Sequence, residues 1–252
     1  MIDIFELEQE IRSNISNASA NAPRSKQRSI GPSEVGGECD RKLGYRLLGV
    51  EPVNQSDTWL ATIGTAVHAW LAEQYEKLED AERHDNIESR YLIEHPVFVT
   101  DTLSGSVDLV DLKRKLVIDW KVVGDSSLKK YKKEGVGDQY RTQAHLYAYG
   151  LIRGGRDIRD VAIVFLPRGG SLKNMYIWSE PFNLGIAQRG IERLKAANYI
   201  IDNAGVDALS LMNAVSSFCH YCPFYLPGST EFSVGCPGGD LPNPTQPNME
   251  RR

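Results

Sequence analysis

The stretch GSVDLVDLKRKLVIDWKVV, Gly105 to Val123, decides how the rest of the chain is read. Two runs rich in Val, Ile and Leu, Gly105 to Leu112 and Lys115 to Val123, flank a short charged turn, which is the pattern of two consecutive strands. A third such run, Tyr91 to Thr100, precedes them and extends the pair to a meander. Along a strand, side chains two residues apart emerge on one face, so Asp119 and Lys121 share a face. Antiparallel pairing can bring Asp108, one strand earlier, within a few ångströms of them. Two converging carboxylates make a hard-oxygen site for Mg2+ or Mn2+. An ammonium beside them suits phosphodiester hydrolysis, where metal-activated water is the attacking group and fixed positive charge offsets the negative charge that develops. An Asp-x-Lys triplet alone usually marks a solvated strand face.

The order of elements around this stretch adds to it. Trp59 to Leu78 carries Leu60, Ile63, Val67, Trp70, Leu71 and Tyr75 at spacings of three and four, the mark of an amphipathic helix, and His68 lies on it. After a charged segment, Asp125 to Asp138, which reads as a loop, the run QYRTQAHLYAYGLI predicts a helix bearing Gln143 and Tyr147. Two more strands, Val161 to Pro167 and Asn174 to Phe182, joined through a Gly-Gly turn, and a helix over Leu184 to Asn203 complete an α/β pattern. Taken singly, His68 reads as a hydrogen-bonded core histidine, Gln143 as a polar helix residue and Tyr147 as core. His84, His95, His145 and His220 read as structural.

A helix with Gly64-Thr65-Ala66-Val67-His68, then Ser106-Val107-Asp108, then Asp119-Trp120-Lys121, then a helix with Gln143 and Tyr147, resembles the RecB-like nucleases of the PD-(D/E)xK superfamily. The resemblance covers roughly residues 31 to 236. It implies a restriction-endonuclease-like core, a mixed central β-sheet flanked by helices. It also implies His68, Asp108 and Asp119 as metal ligands, with Asp108, Asp119, Lys121, Gln143 and Tyr147 as catalytic residues. An imidazole in the set favours Mn2+ somewhat over Mg2+. The proline usual before the first aspartate is Val107 here.

The four cysteines, Cys39, Cys219, Cys222 and Cys236, are too few and too unevenly spaced for a disulfide scaffold. Reduced thiolates holding metal fit better. The one-plus-three division, with Ser33-Glu34-Val35-Gly36 leading to Cys39, is similar to the iron-sulfur branch of the same family, shared with AddB and the CRISPR adaptation nucleases. That likeness implies a 4Fe-4S cluster on the four thiolates, acting as a structural staple, with zinc as the alternative occupant.

The 252 residues are compatible with one elaborated domain: over 1–30 a helix from residue 3 to about 16 and then a polar linker, NASANAPRSKQRS; the nuclease-like domain over 31–236; and a Pro- and Gly-rich tail over 237–252, expected to be disordered. The formal charge of -4 argues against nonspecific coating of DNA, so contact with a polyanion needs a local basic patch. Lys129, Lys130, Lys132 and Lys133 around Tyr131 supply one, with the lysines on phosphates and the tyrosine on an unpaired base; a solvated lysine loop with Tyr131 packed inward is the rival reading. Arg41, Lys42 and Arg46 could extend the patch. No run is apolar enough to span a bilayer, and the N-terminal run is acidic and amphipathic, unlike a signal peptide. The expectation is a cytoplasmic protein of a bacterial cell or a phage-infected host. No Gly-xxxx-Gly-Lys-Ser/Thr motif is present, so unwinding of duplex DNA would come from a helicase or recombination partner. The function expected is a Mg2+- or Mn2+-dependent exonuclease on DNA ends or single strands, in recombination, repair, replication or CRISPR adaptation. The rival is a noncatalytic, zinc-containing nucleic-acid-binding module.

Overall fold

The computed structural model describes residues 3–21, 29–54, 59–84 and 89–239. They sort into two compact units. The first takes the described parts of 1–27, 31–36 and 57–190, and the second those of 28–30, 37–56 and 191–252. The span 31–236 is thus divided between both, with the first unit's sheet inserted between two stretches of the second.

The first unit is built on a five-stranded mixed sheet in the order β1-β2-β3-β4-β5: β1 Tyr91–Phe98, β2 Ser104–Asp111, β3 Leu116–Val123, β4 Asp160–Pro167 and β5 Tyr176–Pro181. The three expected meander strands are present and pair antiparallel. β3 and β4 run parallel, and β4 and β5 antiparallel. A parallel neighbour requires a crossover, and the intervening helices supply it. β4 is an interior strand, paired on both sides, and its apolar run is buried from Val161 to Phe165 without alternation.

The helices of this unit are α1 Ile4–Asn21, α2 Pro32–Val35, α4 Trp59–His84, α5 Asp125–Glu134, α6 Asp138–Arg153 and the start of α7 Leu184–Ala204. Two expectations need correction. The polar run after residue 16 is helical as far as Asn21, because Asn17 Nδ2 reaches back to Ser13 Oγ at 3.4 Å and Asn21 Nδ2 to the Asn17 carbonyl at 2.9 Å. The remainder of that linker, 22–28, lies outside the described residues, as does the tail from 240. The charged segment after β3 is a helix rather than a loop. α5 is bounded by Gly124 and Gly135 and anchored by buried Leu128 and by Tyr131, three residues apart, too few apolar positions to show a period.

α4 packs Leu71 and Tyr75 against Leu109, Trp120 and Val164 of the sheet, with Ile93 and Ile118 beside them. Leu60 and Trp70, expected on the inner stripe, are exposed instead. α6 is buried along Gln143 to Ala148. Where it crosses β1 and β2, Gly150 lies under Val97, whose Cγ1 fills the space that a Cβ would need, and Tyr147 lies over Gly105. Strict alternation would put Ile93 and Val97 against the same helix. One meets the α4 side and the other α6, so the ribbon of β1 and β2 turns over between them, and the turning point is Glu94, a non-glycine residue at φ 44°.

The second unit holds α3 Asp40–Leu48, the rest of α7 and α8 Ala208–Leu211. Cys39 caps α3, accepting from the Lys42 N–H at 3.4 Å, and Gly49 ends it at φ 65°, its N–H reaching the carbonyls of Arg46 and Tyr45. Met212 and Leu209 fill the space over Gly44, and Tyr45 stacks on Phe224 at 4.9 Å between centroids. Among the described residues no helix is long and apolar enough to cross a membrane.

Candidate functional site

The pairing of β2 with β3 runs from Asp111 opposite Leu116 to Leu109 opposite Ile118 and stops. The next opposed positions would be Asp108 and Asp119. There the Asp108 carboxylate replaces the ladder: Oδ2 accepts from the Trp120 N–H at 2.8 Å. The strands therefore part at the two aspartates, opening room beside them while the Trp120 amide keeps a partner.

His68, on α4, brings Nδ1 to 3.3 Å from Asp108 Oδ1, with both side chains largely buried. Burial pulls the pKa of His68 down, but the Asp108 carboxylate beside it and the charge of Asp119 outweigh this, and the net shift is upward. Asp119 is 1% exposed. Burial pushes its carboxyl up, Lys121 opposes and the neighbouring charge of Asp108 adds, leaving it raised. Lys121 Nζ lies 2.6 Å from Asp119 Oδ2 and donates to Gln143 Oε1 at 3.1 Å, while Gln143 Nε2 donates to Asp119 Oδ1 at 2.9 Å. The three side chains close a ring in which the amide of Gln143 holds both partners of the ion pair.

The structure thus brings together His68, Asp108, Asp119, Lys121 and Gln143. Tyr147 is buried, and its ring lies against Gly105, three residues before Asp108. A Cβ at Gly105 would stand 2.8 Å from Pro32 Cδ and 3.2 Å from Tyr147 Cε1, so glycine is required for this approach.

Two residues at the site went unread in the sequence. Tyr140 carries Lys121 Nζ over its ring at 4.8 Å from the centroid, a cation-π contact. It stands three residues before Gln143 on α6, so helical spacing could have revealed it. Glu94 offers a carboxylate oxygen that lies, with His68 and Asp108 ligand atoms, in a group all within 4.8 Å of one another. Its only signal was an acidic residue amid the apolar run of β1. Its left-handed backbone costs on the order of 1–3 kcal/mol.

Lys129, Lys130, Lys132 and Lys133 are exposed on α5. Tyr131 faces inward: its ring stacks on Phe165 at 4.3 Å and leans on Tyr140 at 6.0 Å. Burial, with Tyr140 beside it, pushes the phenol up to about 12. The ring face given to Phe165 is not available to a base, as in the rival reading with Tyr131 packed inward. Arg41 is likewise turned inward. Its guanidinium donates to the carbonyls of Leu209 at 2.8 Å and Gly238 at 2.9 Å, so it does not extend a DNA-facing patch.

Cys39, Cys219, Cys222 and Cys236 are all reduced, and all belong to the second unit. Burial pushes the Cys222 thiol up, and the charges of Cys39 and Cys236 add to the shift, so the three sulfurs are close enough to feel one another. Arg41 Nη1 lies 3.9 Å from Cys236 Sγ. The Arg41 guanidinium thus lies beside Cys236, and Cys39 stands at the N-terminus of α3.

No protein-family model and no curated protein matches the chain. Among solved structures it is similar to an alkaline exonuclease from Laribacter hongkongensis, with 11% identity over 71% of this chain and 91% of that one and a TM-score of 0.45. The same exonuclease in complex with dAMP gives 10% identity, 70% and 89% coverage and a TM-score of 0.44. A phage related exonuclease from Haemophilus somnus 129PT gives 17% identity, 65% and 79% coverage and a TM-score of 0.42.

Proposed function

We propose that this protein is a Mg2+- or Mn2+-dependent deoxyribonuclease of the PD-(D/E)xK type, an exonuclease acting on DNA ends or single strands. The observation that carries the reading is the closed ring of Asp119, Lys121 and Gln143 beside Asp108 and His68, where β2 and β3 part. Carboxylate oxygens and an imidazole nitrogen are a donor set that fits Mg2+ or Mn2+, with the imidazole favouring Mn2+. A cation held by His68, Asp108 and Asp119 would polarise a phosphodiester and lower the pKa of water bound to it.

The chain's own residues do the rest. Lys121 orients the attacking water and places positive charge where the phosphate gains negative charge. Gln143 is a positioning residue: it ties Lys121 to Asp119 from a rigid helix, so the ammonium does not swing to solvent. Tyr140 covers that ammonium and keeps water from one side of it. The exposed lysines of α5, the helix that directly follows β3, hold backbone phosphates. In the second unit, the four cysteines hold a 4Fe-4S cluster that ties chain segments on either side of the sheet unit, with zinc the competing occupant. A helicase or recombination partner would open duplex DNA.

The test is cleavage of end-labelled single- and double-stranded DNA with either metal by the wild type and Lys121→Ala. Loss of cleavage with DNA binding retained is expected. Failure of the wild type to cut with either metal would favour a noncatalytic nucleic-acid-binding module. Protein purified without oxygen should be brown, absorbing broadly near ~400 nm; a colourless, zinc-loaded preparation overturns the cluster assignment.

A further inference from the structure

We propose that Glu94 is a further ligand of the divalent cation, held jointly with His68 and Asp108. This rests on the metal-dependent reading above and adds a residue outside the carboxylate-lysine pattern. Among the described residues, His68, Glu94 and Asp108 form the group of three whose ligand atoms all lie within 4.8 Å of one another. Asp119 has Oδ1 accepting from Gln143 Nε2 and Oδ2 at 2.6 Å from Lys121 Nζ, so Glu94 adds a carboxylate on the side of the site away from that ion pair's own strand.

Register explains how the group arises. Ile93 pairs with Leu109 and His95 with Val107, so Glu94 stands opposite Asp108 across the β1-β2 ribbon. Like charges at directly opposed positions repel, and a divalent cation between them turns that repulsion into attraction. The ribbon turns over at Glu94, whose φ of 44° sets the direction of its side chain. Ser106 Oγ then donates to Glu94 Oε2 at 3.3 Å and steadies the carboxylate.

A separate observation comes from α4. His68 Nδ1 is buried and makes no well-aligned hydrogen bond, with Asp108 Oδ1 3.3 Å away. A buried ring nitrogen in that condition, aimed at carboxylates, is what a metal ligand presents before its ion arrives. With Asp119, one imidazole and three carboxylates would supply about four of the six positions of an octahedral shell, leaving places for a phosphate oxygen and water.

The experiment is Mn2+ binding to the full chain, followed by calorimetry and by loss of the free-ion paramagnetic resonance signal, without DNA. Wild type, Glu94→Gln, Asp108→Asn and Ser171→Ala are compared, with circular dichroism as a check on folding. Glu94→Gln keeps the shape and should weaken Mn2+ binding by about tenfold or more, the least expected for a group that supports a metal site. Asp108→Asn should do the same, and Ser171→Ala, on the turn before β5, should bind as wild type. If Glu94→Gln perturbs folding, Glu94→Asp, which keeps the charge and shortens the reach, takes its place with the same expected loss. Wild-type affinity in the Glu94 variant, with weakened affinity in Asp108→Asn, overturns the role of Glu94 and leaves the nuclease reading intact. Absence of Mn2+ binding by the wild type overturns both.

Discussion

Replacing Lys121 with Met keeps the aliphatic stem and removes the charge. The Asp119 carboxylate, 2% exposed in its side chain, then loses a partner at 2.6 Å and keeps only the Gln143 amide, whose own oxygen loses its donor. Removing one partner of a buried ion pair costs about 3–5 kcal/mol. The Lys121 side chain is 17% exposed, so some water reaches the vacated place, and the lower end, about 3 kcal/mol, is expected. For a chain of this size that corresponds to a fall of roughly 6–12 °C in the transition of the unit that holds the sheet. Cleavage should fall further than stability explains, by about 10²–10³ at a temperature where the variant is folded. Scanning calorimetry on the metal-free site and single-turnover cleavage of end-labelled DNA measure the two effects. Adding Asp119→Asn should restore much of the stability, since no charge is then stranded, and none of the rate. A Lys121→Met protein as stable as the wild type and cutting at an undiminished rate would refute the buried-pair reasoning.

Other outcomes follow from neighbouring residues. Burial pushes Asp111 up, but its bonds to Arg90 and Arg114 outweigh this and leave it below the ordinary 3.8. Its contribution is therefore complete above pH ~4 and disappears as pH falls through the lowered folded value, so Asp111→Asn should flatten the acid limb of an unfolding curve measured by fluorescence. An unchanged acid limb would contradict that. Replacing Lys129, Lys130, Lys132 and Lys133 together with Ala should weaken DNA binding and reduce the slope of log K against log salt by up to about 3–4, near 0.9 for each phosphate that is no longer neutralised. A slope equal to the wild type's would place the DNA elsewhere. Gly105→Ala drives a methyl toward Pro32 Cδ at 2.8 Å and Tyr147, and should destabilise by about 1–3 kcal/mol in chemical denaturation.

Much of the site was legible because it is local. Asp119 and Lys121 share a face through the two-residue period of a strand, and Gln143 lies on a helix whose spacing is plain. Antiparallel pairing of adjacent strands brought Asp108 within reach without knowledge of any distant contact. α5 was not legible: two anchoring residues among four lysines leave no period, and helix or loop was decided by what Phe165 offered Tyr131 to stack on. The same contact settled which way Tyr131 faces. Arg41 read as surface because arginine usually is, yet carbonyls at Leu209, Met212 and Gly238, far along the chain, take up its donors.

Short-range periodicity, then, determined by itself the meander, the helices that flank it and the acidic and basic groups on offer, because strand and helix geometry repeat within a few residues. Tertiary structure alone decided that β1 and β2 turn over at Glu94, that His68 on α4 faces Asp108, and that Gln143 locks Lys121 onto Asp119. Each of those depends on the packing of elements distant in sequence, and no local spacing encodes how a twisted ribbon meets two different helices.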